Sequence, residues 1–334
     1  MLTRPEQISD PELLRAVADA WLVDLRSVEY RPVGFGSHHW LAADADGGRW
    51  FVTVDDLSAR VADDDESPDA VHDRLRAALR TARAVRDTGA AFVVAPTPRP
   101  DGEVLHRLDR RFVAALYPYV DGAAGGFSDL LSAADRRSVL SLLAILHDSP
   151  VPTRRDAGVD DLGIQARDRL DDALAALTEP WDTGPYGEPT RRLLAWHGAR
   201  LEGALSTYDR LAEATVAAAD RKVLTHGEPH PGNLIRTASG WRLVDWDTVL
   251  VAPPERDLWL LDPGDGSVAT TYTEMTGRPV HPEVMELYRL RWALTDIALY
   301  VSGFRAPHTG SSDDDASWSY LEGTLATLGG SAGS

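Results

Sequence analysis

The chain has 334 residues, 43% of them hydrophobic and none of them cysteine. That supports one large or two medium domains with a core of their own, and it excludes disorder, a disulfide scaffold, thiolate catalysis and cysteine-ligated metal. The formal charge of −18 disfavours nucleic acid and anionic membranes as partners and favours a cationic one. No apolar run reaches the roughly 18 residues of a membrane span, and the N-terminus lacks a signal-like apolar stretch, so a soluble cytoplasmic protein is expected. Of 34 basic residues only Lys222 is a lysine, so a mechanism needing one elsewhere must use another group.

In chain order, Asp10–Trp21 reads as a helix with Asp10 as N-cap and Pro11 in the first turn. Strands are expected at Ser27–Val33, His38–Ala43 and Trp50–Val54, joined by the turn-forming Gly34-Phe35-Gly36-Ser37 and Asp44 to Gly48. The acidic tract Asp63–Glu66 leads to a helix of about twenty residues that ends near Gly89. Further strands are expected at Phe92–Ala95, Val104–Arg107 and Phe112–Tyr117, before a linker at Asp121–Gly126. From there the pattern turns helical. Val139, Leu142, Leu143 and Leu146 define one buried face, and helices are expected over about 160–178, 188–219, 254–261, 282–303 and 314–328. Short strand-like runs occupy Val223–Thr225, Asn233–Ile235 and Trp241–Val244. Asp313–Asp315 reads as the cap of the last helix.

Two segments carry the chemistry: His226-Gly227-Glu228-Pro229-His230-Pro231-Gly232-Asn233 and Val244-Asp245-Trp246-Asp247. Each follows a short strand, and a hairpin turning near Ala238-Ser239-Gly240 joins them, which brings an acid, an amide and a second acid to one mouth. That donor set suits Mg²⁺ and a polyphosphate, because Mg²⁺ takes one or two protein oxygens and leaves its other positions to phosphate and water. His226 and His230 are not a zinc pair, since Pro229, Pro231 and Gly232 forbid the helix that their spacing needs. His38 and His39 read as neighbours on opposite faces of a strand. Gly34-x-Gly36 followed by His39 lacks the third glycine of a dinucleotide fingerprint.

These residues resemble the aminoglycoside phosphotransferase and choline kinase-like relatives of protein kinases, whose catalytic loop reads His-Gly-Asp-x-His-x-Gly-Asn and whose metal-binding strand ends in an apolar-Asp pair. Trp246-Asp247-Thr248, Ala252 through Leu258, Tyr288-Arg289 and Asp296 through Tyr300 are most similar to the spectinomycin phosphotransferase branch of that family. The resemblance implies a bilobal, protein-kinase-like α+β fold. Its N-terminal sheet lobe, about 1–120, would bind nucleotide, and its helical lobe, about 121–334, would carry catalysis and substrate. It also implies an ATP- or GTP-dependent, Mg²⁺-dependent small-molecule kinase acting on a hydroxyl of an aminocyclitol or aminoglycoside, with antibiotic resistance as its role.

Position by position, the resemblance puts Asn233 and Asp245 on Mg²⁺, Glu228 in the place of the catalytic aspartate, and Asp257 beneath the catalytic loop. Gly34, Phe35, Gly36 and Ser37 would cover the phosphates, and Tyr117 and Tyr119 belong to the hinge that holds adenine. Trp246, Asp247, Glu255, Asp262 and Asp265 are expected to face a cationic substrate. The chain departs from the family pattern at three positions. Glu228 is one methylene longer than aspartate, Thr53 stands where the phosphate-binding lysine belongs, and Arg76 (or Arg74 or Arg80) stands where the lysine's glutamate partner belongs. An arginine on that helix is therefore expected to supply the missing charge. The rival readings are a pseudokinase-like binding protein with little turnover and a peptide Ser/Thr kinase of natural-product biosynthesis; the oligomeric state is left open.

Overall fold

Large apolar side chains recur at every second residue in β2 (Ser37–Asp44) and β3 (Arg49–Asp56), which follow α1 (Asp10–Trp21) and β1 (Leu25–Arg31) in the computed structural model. The structure describes residues 3–34, 36–61, 66–150, 154–216 and 221–328; Phe35 and most of the Asp63–Glu66 tract lie outside them. After α2 (Pro68–Asp87) come β4 (His106–Arg107) and β5 (Phe112–Pro118), completing an antiparallel sheet of order β1-β2-β3-β5-β4. One face of this sheet presents Trp40, Ala42, Val52, Val54, Ala114 and Leu116 to Leu13, Val17 and Trp21 of α1. Burial of each large side chain there contributes about 1.5–3 kcal/mol. The register pairs Ser37 with Asp55, His39 with Thr53, Thr53 with Ala115 and Phe51 with Tyr117, so these residues share the opposite face.

The rest of the chain forms β6 (Ala123–Ala124), α3 (Ala133–His147), β7 (Gly158–Val159), α4 (Arg167–Ala175), α5 (Gly187–Val216), β8 (Val223–Thr225), β9 (Leu234–Thr237), β10 (Gly240–Leu243), β11 (Leu250–Ala252), α6 (Glu255–Leu258), α7 (Ser267–Thr276), α8 (Pro282–Arg305) and α9 (Ser312–Thr327). Two small sheets run β10-β9-β6 and β7-β11-β8. By contact density the chain divides into two units. One takes in the described residues of Met1–Val61, Asp65–Asp160 and Lys222–Val280, and the other those of Asp161–Arg221 and His281–Ser334. No helix among the described residues is long and apolar enough to cross a membrane.

Several elements differ from the sequence expectations for physical reasons. Ser9, not Asp10, caps α1, accepting the Glu12 N–H, while Asp10 takes the Trp40 indole N–H at 2.9 Å. Ser311 caps α9, with Asp314 completing a reciprocal capping box. Residues 92–95 make only a bridge between Val93 and Leu243, since Pro96 and Pro98 remove donors that a strand needs. Residues 160–178 are helical only over α4, because Leu162 and Ala166 adopt positive φ. Helix α7 was not expected: its Thr-rich sequence buries only Val268 and Tyr272, one turn apart, and it starts after the left-handed Gly266.

In the first unit a buried chain of polar groups runs from α7 to the loop after β8. Tyr272 OH lies 2.7 Å from His147 Nδ1, and His147 Nε2 lies 3.0 Å from Asp257 Oδ2. The Asp257 carboxylate accepts the backbone N–H of His226 (2.9 Å) and Gly227 (2.6 Å). Burial works to raise its carboxyl, and the His147 hydrogen bond leads the interactions that instead hold it below the ordinary range. In the second unit α8 packs against α4, α5 and α9. There burial pushes the Asp296 carboxyl up to about 7, with a hydrogen bond from Trp292 in opposition.

Two expected outcomes follow from these buried carboxyls. Asp257→Ala should cost about 2–4 kcal/mol in denaturant unfolding, since it strands two N–H groups and a ring nitrogen, whereas Tyr272→Phe should cost about 1 kcal/mol; equal losses would refute the brace. For Asp296 the folded carboxyl titrates above the unfolded one, so the folded state holds the extra proton between about pH 4 and about 7. Its contribution to stability is full below that window and is lost as pH rises through about 7. Asp296→Asn should therefore melt higher than the parent at pH 8, by of order 1–3 kcal/mol, with the gain gone by pH 4. Parallel melting profiles from pH 4 to 8 would rule this out.

Candidate active site

The loop after β8 is shaped by backbone groups before any side chain acts. Gly227 has φ +103°, and a Cβ there would lie 2.5 Å from the Arg256 guanidinium, so only glycine fits without a rearrangement. Arg256 sits under the loop, donating to Thr225 Oγ1 (2.9 Å) and to the Thr248 carbonyl (2.8 Å). His226 is fully buried and donates Nε2–H to the Val244 carbonyl (2.9 Å), while its Nδ1 accepts the Glu228 N–H (3.1 Å). Burial holds this imidazole down to about 4, so it is neutral at physiological pH and acts as a spacer between the two chemistry-bearing segments. The Glu228 side chain is 30% exposed, with Oε2 3.9 Å from His230 Nε2.

Pro231–Asn233 forms one 3-10 turn, and the Val244 N–H donates to the Asn233 carbonyl at 3.0 Å, so the β9–β10 pairing extends to set Asn233 beside the entry to Asp245. Asn233 Nδ2 donates to the Glu228 carbonyl (3.0 Å) and lies 3.2 Å from His230 Nε2. That use of the amide nitrogen leaves Oδ1 to accept or to ligate. Asp245 adopts φ +65°. Asp245 keeps an exposed surface, yet the protein packed around its carboxyl, and then the neighbouring Asp247 and Glu228, push that carboxyl above the usual range. Asp247 is held below that range by Arg60, against its own burial, and is hydrogen-bonded to Asp245. Protonation of Asp245 thus relieves a concentration of acids. A divalent cation would relieve it equally by displacing that proton, so an amide oxygen and a crowded carboxylate fit Mg²⁺. Among the described residues no three His, Cys, Asp or Glu side chains are placed to hold one metal ion together, so most of such an ion's shell would come from phosphate and water.

Facing these groups is the polar side of the N-terminal sheet. Asp55 Oδ1 accepts from Ser37 Oγ at 2.7 Å and pairs with Arg60 NH2 at 2.7 Å. Arg60 NH2 also donates to Ser37 Oγ (2.9 Å), and Arg60 NH1 pairs with Asp247 Oδ2 at 2.7 Å. Burial works against the Arg60 charge, and Asp55 with Asp247 more than compensates. Thr53 lies on the same sheet face, hydrogen-bonded to Tyr117, whose hydroxyl is pushed well up by burial and by Asp55, Asp245 and Asp247. Arg60 was not among the residues singled out from sequence; the only hint was that the missing lysine had to be replaced by something basic.

The other expected residues fall into separate groups. Gly34 and Gly36 have φ +68° and +83°, as a tight cover requires, and a Cβ on Gly36 would come 3.4 Å from Arg60 NH2. Tyr119 is 37% exposed beneath the Arg49 guanidinium (4.2 Å), with its N–H already bonded to the Arg49 carbonyl. Arg76 points to Asp73 (3.5 Å), Arg74 to Glu66 (3.0 Å), and Arg80 to Glu103 and Asp156; the structure does not bring their guanidinium groups to Asp245 or Asp247. The apolar stripe Val71, Leu75, Ala78, Leu79 and Ala82 occupies the inward face of α2 and turns these arginines away. Trp246 and Glu255 are fully buried and so cannot meet a substrate; Trp246 packs edge-on against His226 at 4.7 Å and donates to the Leu243 carbonyl. Asp247 is taken by Arg60, Asp262 closes a turn onto the Gly264 N–H, and Asp265 accepts the N–H of Ser267 at the start of α7. Phe127, half exposed and 4.6 Å from the His230 ring, borders the loop after β8 and was missed because the glycine-rich linker before it carries no periodicity.

Comparison with known proteins identifies the family. The family model of the phosphotransferase enzyme family matches residues 29–287. Protein StrN of Streptomyces griseus is 31% identical over 252 residues, covering 70% of this chain and 72% of that protein. Spectinomycin phosphotransferase APH(9)-Ia, solved with ADP and spectinomycin, superposes with a TM-score of 0.75 over 97% of this chain and 98% of its own, at 16% identity. The amicoumacin kinase hAmiN, solved in complex with AMP-PNP, Ca²⁺ and Ami, gives a TM-score of 0.58 over 96% of this chain and 93% of its own, at 11% identity. At such identities the structures establish the fold, which is kinase-like with an N-terminal antiparallel sheet and a helical C-terminal part. The match over most of the chain makes it a member of the phosphotransferase enzyme family, a small-molecule phosphotransferase.

Proposed function

We propose that the protein transfers the γ-phosphoryl group of ATP, or of GTP, to a hydroxyl of a small amine-bearing molecule of the aminocyclitol or aminoglycoside class, and so would inactivate such an antibiotic. In this reading residues 1–120 form the nucleotide-binding lobe and 121–334 supply catalysis and substrate, in the cytoplasm. The observation that carries it is the joint placement of Glu228, Asn233 and Asp245 at the ends of β8 and the β9–β10 hairpin. Support for the substrate class comes from the net charge of −18 and from the spectinomycin complex of the structural neighbour.

The substrate hydroxyl oxygen attacks the γ-phosphorus in line, the bond from that phosphorus to the β-phosphate oxygen breaks, and the nucleoside diphosphate leaves. Glu228 orients the hydroxyl and takes its proton. Asn233 and Asp245 would hold Mg²⁺, which neutralises charge on the phosphates when bound. The longer reach of Glu228 is matched by a stiff loop: Pro229 and Pro231 restrict the backbone on both sides of His230, and Asn233 ties back to the Glu228 carbonyl.

Asp245→Asn should abolish Mg²⁺-dependent nucleotide binding in calorimetry while leaving the unfolding transition cooperative; unchanged binding would remove the metal assignment. Glu228→Gln should lower turnover on an aminoglycoside panel by at least about 10²-fold, and Glu228→Asp should also fall below the parent, because the loop is set for the longer acid. An increase in rate with Glu228→Asp would instead mark the glutamate as disabling and the protein as a binder.

A further inference from the structure

We infer that Arg60, on the turn after β3, replaces the strand lysine as the cation that holds the nucleotide phosphates, with Asp55 as its fixed partner and Asp247 as the partner it gives up. The inference rests on the proposed nucleotide use of this site. It starts from a deficit. Asp55, Asp245, Asp247 and Glu228 crowd one region, and polyphosphate cannot enter it without cations from the protein as well as the metal. Thr53 supplies none, and Lys222 is elsewhere, with its ammonium 3.4 Å from the Asp160 carbonyl. The α2 arginines point to other acids.

Arg60 is in place and constrained. Asp56 builds its turn: Oδ1 accepts the N–H groups of Ser58 and Ala59, and the backbone carbonyl accepts the N–H of Arg60. Arg111 Nε fixes that carboxylate at 2.8 Å, and Arg74 donates to the Arg60 carbonyl at 3.2 Å. Arg74 therefore serves the site at one remove, by positioning Arg60. The Arg60 guanidinium lies under Gly36 and bonds Ser37, so it meets whatever the glycine turn covers. Its Nε is buried and has no hydrogen-bond partner among the described residues, a donor left for an incoming acceptor. Of its two ion pairs, the one with Asp55 stays within the sheet and its turn. The one with Asp247 spans from the sheet to the metal-binding strand, and phosphate oxygens arriving between them would take over those donors.

The test is calorimetry of the full chain with adenosine, ADP and ATP in Mg²⁺. Arg60→Met should weaken ATP and ADP by about 10–100-fold while leaving adenosine unchanged, because only the phosphates lose a charged partner. Thr53→Lys added to Arg60→Met should recover much of the ATP affinity by restoring the charge from the strand. ATP binding at the parent level in Arg60→Met, or equal losses for adenosine and ATP, would overturn the inference and leave the phosphotransferase reading intact. Absence of nucleotide binding by the parent chain would sink both. Should Arg60→Met fail to fold, Arg60→Lys serves: a shorter, non-forked cation should keep the fold and bind ATP more weakly than the parent, with adenosine unchanged.

Discussion

The active-site loop depends on one carboxylate. His226 and Gly227 sit where the chain leaves β8, and their N–H groups have no strand to pair with. Asp257 takes both, and His147 and Tyr272 hold Asp257 in turn. Because a buried unpaired N–H costs about 1–3 kcal/mol, the loop has no comparable alternative conformation. The remaining geometry follows from that anchor. His226 spaces the loop from Val244, the loop carbonyl of Glu228 fixes the Asn233 amide, and the extended β9–β10 ladder sets Asp245 alongside.

Charge is the second constraint. On the proposed function an acidic protein must place a few cations well beside polyphosphate, and in this chain the cation among those acids is an arginine. The forked guanidinium of Arg60 meets Asp55, Asp247 and Ser37 at once, which a single ammonium on Thr53's strand position could not do with the same geometry. The acid of the pair now stands on the strand and the base on the following turn. The arrangement also frees α2 from carrying an acid into the site, which accounts for its solvent-facing arginines.

Much of this was legible in the sequence. The strands of the first sheet, the helix after the acidic tract and the loop after β8 are local patterns of two-residue alternation, capping residues and turn formers, and each forms within a few residues of its expected limits. What escaped depends on distance in the chain. Arg60 meets Asp247 only through the tertiary fold, and neither residue's neighbours announce the other. Trp246 beside two acids reads as a cleft residue until the edge contact with His226 shows that it fills the core. Glu255 and Asp265 were grouped by charge sign, yet one is buried and the other caps a helix, outcomes set by packing and by turn geometry rather than by composition.

A cation carried by a turn rather than a strand changes how the site is wired. A strand lysine is held by its ladder and senses only the phosphates. Arg60 instead bonds Ser37 of the glycine turn, Asp55 of the sheet and Asp247 of the loop after β10, so any ligand that draws its guanidinium away from Asp247 also acts on the glycine turn through Ser37. Asp247, once released, leaves its negative charge unpaired beside Asp245, which would strengthen the demand for a divalent cation there. Binding of phosphate and binding of metal would thereby favour one another through side chains alone, with no movement of the backbone required.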